Sequence, residues 1–183
     1  MVSFYTPDNE FSEWVGCLRE SVEAFGFEGD IQARELPSGW FSRASFKGQF
    51  MWEMMQKHQR PLLWLDADSE IVRKPEIFLE EPPWDFACQY EVGLKRFRTG
   101  TVYVTPKASE LLELAADLCA KRPKWGHERN FTEAWLKTRH SYRSFFLDAR
   151  YNAAKWKHSL PPEDAFIRSN HKSNGGQRNA TQP

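Results

Sequence analysis

A single α/β domain, built on a mainly parallel sheet flanked by helices, is predicted by three observations. Strand-like and helix-like segments alternate from the N-terminus: strand, helix, strand, helix, strand within the first 65 residues. That alternation is the mark of a sheet whose strands are joined by crossover helices. The third strand, Leu62-Leu63-Trp64-Leu65, is wholly apolar, as a strand buried on both faces must be. It stops abruptly at Asp66-Ala67-Asp68, and the C-terminal strand edge is where such folds bind ligands.

Each element has its own signal. Val2 to Thr6 reads as a strand stopped by Pro7. Ser12 is positioned to cap a helix running to about Phe25, with Trp14, Val15, Leu18, Val22 and Phe25 on one face. Gly26 and Gly29 break it, and residues 30–36 alternate weakly as a second strand. Pro37-Ser38-Gly39 makes a turn into a helix over residues 42–57 that points Phe46, Phe50 and Met54 inward, with Trp52 a further candidate. Residues 84–90 and 99–104 read as strands, 108–121 and 128–137 as helices, and 145–147 and 165–167 as short strands. From Asn174 the chain is nearly devoid of apolar residues and is expected to be disordered. The domain is therefore assigned to residues 1–173 and the tail to 174–183.

Composition narrows the function. A chain of 183 residues suits one core and is short for two domains. Lys plus Arg and Asp plus Glu balance at 25 each, so no global field argues for nucleic acid or an anionic membrane. No apolar run approaches membrane-spanning length, and the start lacks the charge and apolar pattern of a secretion signal. Cys17, Cys88 and Cys119 are odd in number and widely spaced, the expectation for reduced thiols in a cytoplasmic protein.

The chemistry starts at Asp66 and Asp68. Two carboxylates one residue apart repel each other unless a cation lies between them, and a hard divalent ion on one or two carboxylates is the usual way to hold a diphosphate. In order and spacing, Phe4-Tyr5-Thr6, Ser45-Phe46-Lys47, Leu63-Trp64-Leu65-Asp66-Ala67-Asp68, Pro75, the segment Arg98 to Val104 and the segment Phe166 to Ser173 resemble small nucleotide-diphospho-sugar glycosyltransferases of the GT-A (Rossmann-like) fold.

The resemblance implies a metal-dependent transferase that moves a sugar from a nucleotide-diphosphate donor, with UDP the expected nucleotide, to an acceptor hydroxyl. Asp66, Asp68 and His171 are implied as ligands of Mn2+ or Mg2+. Tyr5 and Thr6 fall where that family holds base and ribose. Lys47, Ala67, Gly100, Thr101 and Lys172 complete the implied donor site. Where many relatives carry an acidic pair or Asp-Gln, this chain has His127-Glu128, leaving Glu128 as the candidate catalytic carboxylate with Asp148 and Asp85 in reserve. His58, His127, His140 and His158 read as surface or loop residues. The alternative is a non-catalytic nucleotide-sugar or carbohydrate-binding module of the same fold.

Overall fold

The computed structural model describes residues 1–7, 11–36, 40–80, 82–154 and 164–169. Strand β1 (Val2–Tyr5) leads through α1 (Phe11–Ala24) to β2 (Asp30–Ala33), and α2 (Trp40–His58) leads to β3 (Leu62–Leu65). α1 opens one residue before the expected cap, so Ser12 lies in its first turn. Gly26, with φ +72°, turns the chain after the helix in a conformation that glycine adopts without strain. The expected turn at residues 37–39 lies outside the described residues.

After β3 come β4 (Ser69–Ile71), β5 (Phe86–Glu91), β6 (Arg96–Val104), α3 (Ser109–Lys121), α4 (His127–Thr138), β7 (Ser144–Leu147), β8 (Ala153–Ala154) and β9 (Ile167–Ser169). The main sheet has the order β2-β1-β3-β6-β5-β7. β1 is parallel to β2 and β3, and β5 is parallel to β7. β6 runs antiparallel to both its neighbours, so the other strands of the sheet share one direction. The predicted mainly parallel α/β fold is the fold observed.

β4, β9 and β8 form a second, small sheet. Neither β4 nor β8 was expected from the sequence. Strands of two or three residues carry no readable period, and β4 exists through its antiparallel pairing with β9 about a hundred residues later.

The sheet is buried on both faces, which is why β3 is apolar throughout. Leu62 and Trp64 enter one core with Phe50, Met51, Val102, Leu111 and Phe131. Leu63 and Leu65 enter the other with Leu18, Val22, Tyr103 and Ile167. Each such fully buried large side chain contributes about 1.5–3 kcal/mol, so β3 is fixed from both sides. The last turn of α2 is also pinned: Lys57 Nζ and His58 Nε2 each lie 2.8 Å from Asp30 Oδ2. Burial pushes the Asp30 carboxyl up, but hydrogen bonds from Lys57, Gln32 and His58 outweigh it and hold the pKa down at about 2.

Among the described residues, no helix is long and apolar enough to cross a membrane.

Candidate active site

Strand direction gathers the site. The C-terminal ends of β1, β3 and β7 and the first half of β6 share one sheet edge, bringing Tyr5, Thr6, Asp66, Asp68, Gly100 and Asp148 to it. Asp66, Ala67 and Asp68 form the turn between β3 and β4, closed by Ser69 N–H donating to Asp66 O at 2.9 Å. The turn is firmly held. Ala67 and Asp68 are buried, and Asp68 Oδ2 accepts from Ser169 Oγ at 3.0 Å.

Asp66 is locked through one oxygen. Its Oδ1 accepts from Lys47 Nζ at 2.5 Å and from Trp64 Nε1 at 2.9 Å. Trp64 and Asp66 stand two residues apart, on the same side of the chain as strand alternation requires. The Lys47 ammonium lies 5.1 Å from the Trp64 ring centroid and also donates to Thr99 O and Oγ1, at 3.1 and 3.3 Å. All three ammonium hydrogens are thus used within the protein. Lys47 was expected to reach a donor from its helix; in this structure it is turned inward onto Asp66. Among the described residues, Asp66 Oδ2 has no partner, and the side chain keeps 28% of its surface exposed.

A bulge in β6 presents the Thr99 carbonyl. The β5–β6 register jumps from Cys88↔Val102 to Gln89↔Arg98, so Thr99, Gly100 and Thr101 are looped out of pairing with β5. Gly100 O accepts the Asp66 N–H at 2.9 Å, and Thr101 Oγ1 donates to Tyr151 O at 2.5 Å. Gly100 was expected to allow a close ligand approach. What approaches it here is Asn152: a Cβ on residue 100 would lie 2.4 Å from Asn152 Oδ1.

The predicted acids differ in placement. Glu128, in the first turn of α4, is bound by Arg96 Nε at 3.0 Å and Arg98 Nη1 at 3.3 Å. Arg98 also pairs with Glu91. Asp148 is at the right edge but caps the short 3-10 helix Ala149–Tyr151, and the hydrogen bonds from Arg150 hold its carboxyl below the usual range. Asp85 requires a correction. It precedes β5 and so lies at the opposite edge, where it accepts from the Arg143 N–H at 2.9 Å. Burial raises its pKa, but that bond and Lys107 bring it below normal. A cavity of about 420 Å³ also opens at that edge, lined by Leu63, Phe78, Trp84, Asp85 and Tyr103, away from the Asp66–Asp68 turn.

His127 was read from the sequence as a surface residue, and that too is corrected. One edge reaches solvent, but Nδ1 is buried without a hydrogen-bond partner among the described residues. Burial pushes its pKa down to about 3; Lys47 and Arg96 push the same way, and Asp66 opposes them. That Lys47 and Asp66 act electrostatically on it was not legible, because α4 follows Asp66 by about sixty residues in the chain. His58 is also less exposed than expected, through its bond to Asp30. His158, His171 and Lys172 lie outside the described residues. Among the described residues, no three His, Cys, Asp or Glu side chains gather as a metal-binding group.

No protein-family profile and no curated protein sequence matches the chain. Solved structures do. A glycosyltransferase involved in glycosylation of the major capsid of PBCV-1 superposes with TM-score 0.73 at 16% identity, over 92% of this chain and 90% of that one. The chain has the fold of a glycosyltransferase. The galactosyltransferase LgtC, solved with donor and acceptor sugar analogues, gives TM-score 0.53 at 9% identity over 92% and 86% of the two chains. GlyE of Streptococcus pneumoniae TIGR4 gives 0.53 at 17% identity, over 94% of this chain and 47% of that one. These likenesses match the GT-A-like architecture implied by the sequence.

Proposed function

We propose that this protein is a glycosyltransferase that uses a nucleotide-diphosphate sugar, with UDP as the nucleotide and Mn2+ or Mg2+ as cofactor. The observation that carries the reading is the Asp66-Ala67-Asp68 turn at the C-terminal edge of β3, in a fold shared with sugar transferases. The donor set fits a hard cation. The turn supplies two carboxylates, with Asp66 Oδ2 presented outward, and the assigned His171 would add an imidazole nitrogen, a set that Mn2+ or Mg2+ accepts. When bound, the cation would offset the charge that develops on the diphosphate leaving group.

The chain's own residues divide the remaining work. Lys47 and Trp64 hold Asp66 by Oδ1, so that Oδ2 is the oxygen presented outward. Ser169 holds Asp68, and we assign His171, two residues further along the sequence, as the third ligand with Lys172 beside the donor. Tyr5 and Thr6 take base and ribose. The Thr101 hydroxyl is bonded to Tyr151 O and Asn152 covers Gly100, so Gly100 and Thr101 would border the donor through their backbone hold on Asp66. Glu128, oriented by Arg96 and Arg98, aligns the acceptor hydroxyl. A cytoplasmic location agrees with the free thiols Cys17, Cys88 and Cys119.

The test is UDP calorimetry with manganese and with chelator, alongside donor turnover on a panel of UDP-sugars. UDP binding should require the metal, and Asp68→Ala should weaken it at least about tenfold, or about 1.4 kcal/mol. Equal affinity in manganese and chelator refutes the metal assignment. Absence of turnover with every donor, with UDP still bound, favours a binding module.

A further inference from the structure

We propose that Trp125 is the platform on which a carbohydrate acceptor stacks, an assignment that rests on the glycosyl-transfer reading above. Trp125 ends the short 3-10 helix Pro123–Trp125 between α3 and α4 and is 52% exposed. This tryptophan is rigidly mounted, with an apolar ring face open to a ligand. The Arg122 guanidinium lies 4.7 Å from its ring centroid, and Arg122 is itself tied to Glu133 Oε2 at 2.7 Å. The Asn130 amide holds Arg122 O at 3.3 Å, and the Trp125 N–H bonds the same carbonyl at 3.1 Å. The guanidinium therefore backs the indole and leaves ring surface to solvent.

The mount is tied to the helix that carries Lys47. Ser45 Oγ donates to Pro123 O at 3.2 Å, fixing this turn to α2 two residues before Lys47. Two residues after Trp125, His127 feels the charges of Lys47 and Asp66, and Glu128 follows it. Trp125 thus stands three residues before the carboxylate assigned to the acceptor hydroxyl, in the turn that leads into its helix.

Size and surroundings select the ligand class. One indole offers roughly 150–250 Å², which suits the apolar face of a single sugar ring. A protein partner needs on the order of 1,000 Å² or more. Exposed Lys124 and Arg129, one and four positions from Trp125 in the sequence, are long hydrogen-bond donors of the kind that suit sugar hydroxyls.

The experiment uses the full chain with UDP and manganese. Saturation-transfer NMR is run against methyl glycosides of glucose, galactose, mannose and N-acetylglucosamine and against lactose and cellobiose, with calorimetry on the tightest binder. At least one glycan should bind, Trp125→Ala should weaken it at least about tenfold, and Trp125→Phe should stay within about threefold of the parent. The unfolding midpoints of both variants should match the parent, because the ring is exposed. Equal glycan affinity in Trp125→Ala, or no glycan bound by the parent, overturns the platform. UDP calorimetry on the parent separates the two readings. UDP bound with glycans refused overturns the platform alone, whereas glycan binding lost in Trp125→Ala without any UDP binding overturns the transferase reading and leaves the platform standing.

Discussion

Removing the Lys47 charge should damage stability and site together. Lys47 has 6% of its side-chain surface exposed and Asp66 28%. Breaking a buried ion pair by deleting one partner costs about 3–5 kcal/mol. Asp66 retains some access to water and its bond from Trp64, which lowers the expectation for Lys47→Met to about 2–3 kcal/mol. At this chain length each kcal/mol moves the unfolding midpoint by about 2–4 °C, so the variant should melt about 5–10 °C below the parent. Asp66→Asn in the Lys47→Met background should recover part of that loss, because the unpaired carboxylate is gone. The coupling in the double-mutant cycle should be at least about 1 kcal/mol. Freed from Lys47, the Asp66 carboxylate rotates, and UDP affinity in manganese should also fall. A midpoint for Lys47→Met within about 2 °C of the parent, or a cycle with no coupling, would refute the view that this pair sets the Asp66 geometry.

Three further outcomes are expected. Gly100→Ala places a methyl 2.4 Å from Asn152 Oδ1 and 3.0 Å from its Cγ; it should cost about 1–3 kcal/mol in urea unfolding, with most of the loss recovered by Asn152→Ala. Glu128→Gln should lower kcat about a hundredfold while UDP affinity is nearly kept; unchanged turnover removes Glu128 from the mechanism and promotes Asp148, the reserve acid at the same edge. His127, with its folded pKa pushed down to about 3 from 6.5, stays neutral while the unfolded chain takes up a proton below pH 6.5. The native state should therefore lose stability as pH falls from 6.5, by at most about 1.4 kcal/mol per pH unit relative to His127→Gln; parallel stability curves for the two proteins from pH 7 to 5 would exclude this.

The parts of the fold that are legible in the sequence have local causes. β3 announces itself because burial on both faces forbids polar residues at Leu62 to Leu65. α1, α3 and α4 carry apolar faces, α1 and α3 end near glycine or proline and α4 starts beside Gly126, so their bounds lie within a few residues of expectation. β4 was missed because its partner lies about a hundred residues on, β8 because two residues carry no period, and the bulge at Thr99 to Thr101 because a register shift leaves no mark in the residue pattern. Nothing within Ser69-Glu70-Ile71 says that β9 will pair with it.

The site divides along the same line. Asp66 and Asp68 stand out because a polar pair follows a core strand. What holds them does not stand out: Lys47 comes from a helix, Thr99 O from a bulge and Ser169 from a strand a hundred residues on. Glu128 was proposed through the resemblance, but the two arginines that bind it come from β6 and carry no sequence signal. The Asp85 error was avoidable. In a mainly parallel sheet, an acid that follows a strand reaches the ligand-binding edge, and one that precedes it reaches the other. Asp66 follows β3 and Asp148 follows β7, whereas Asp85 precedes β5. Chain direction alone, read against the strand, was enough to separate the acid that structures the far edge from those that can meet a substrate.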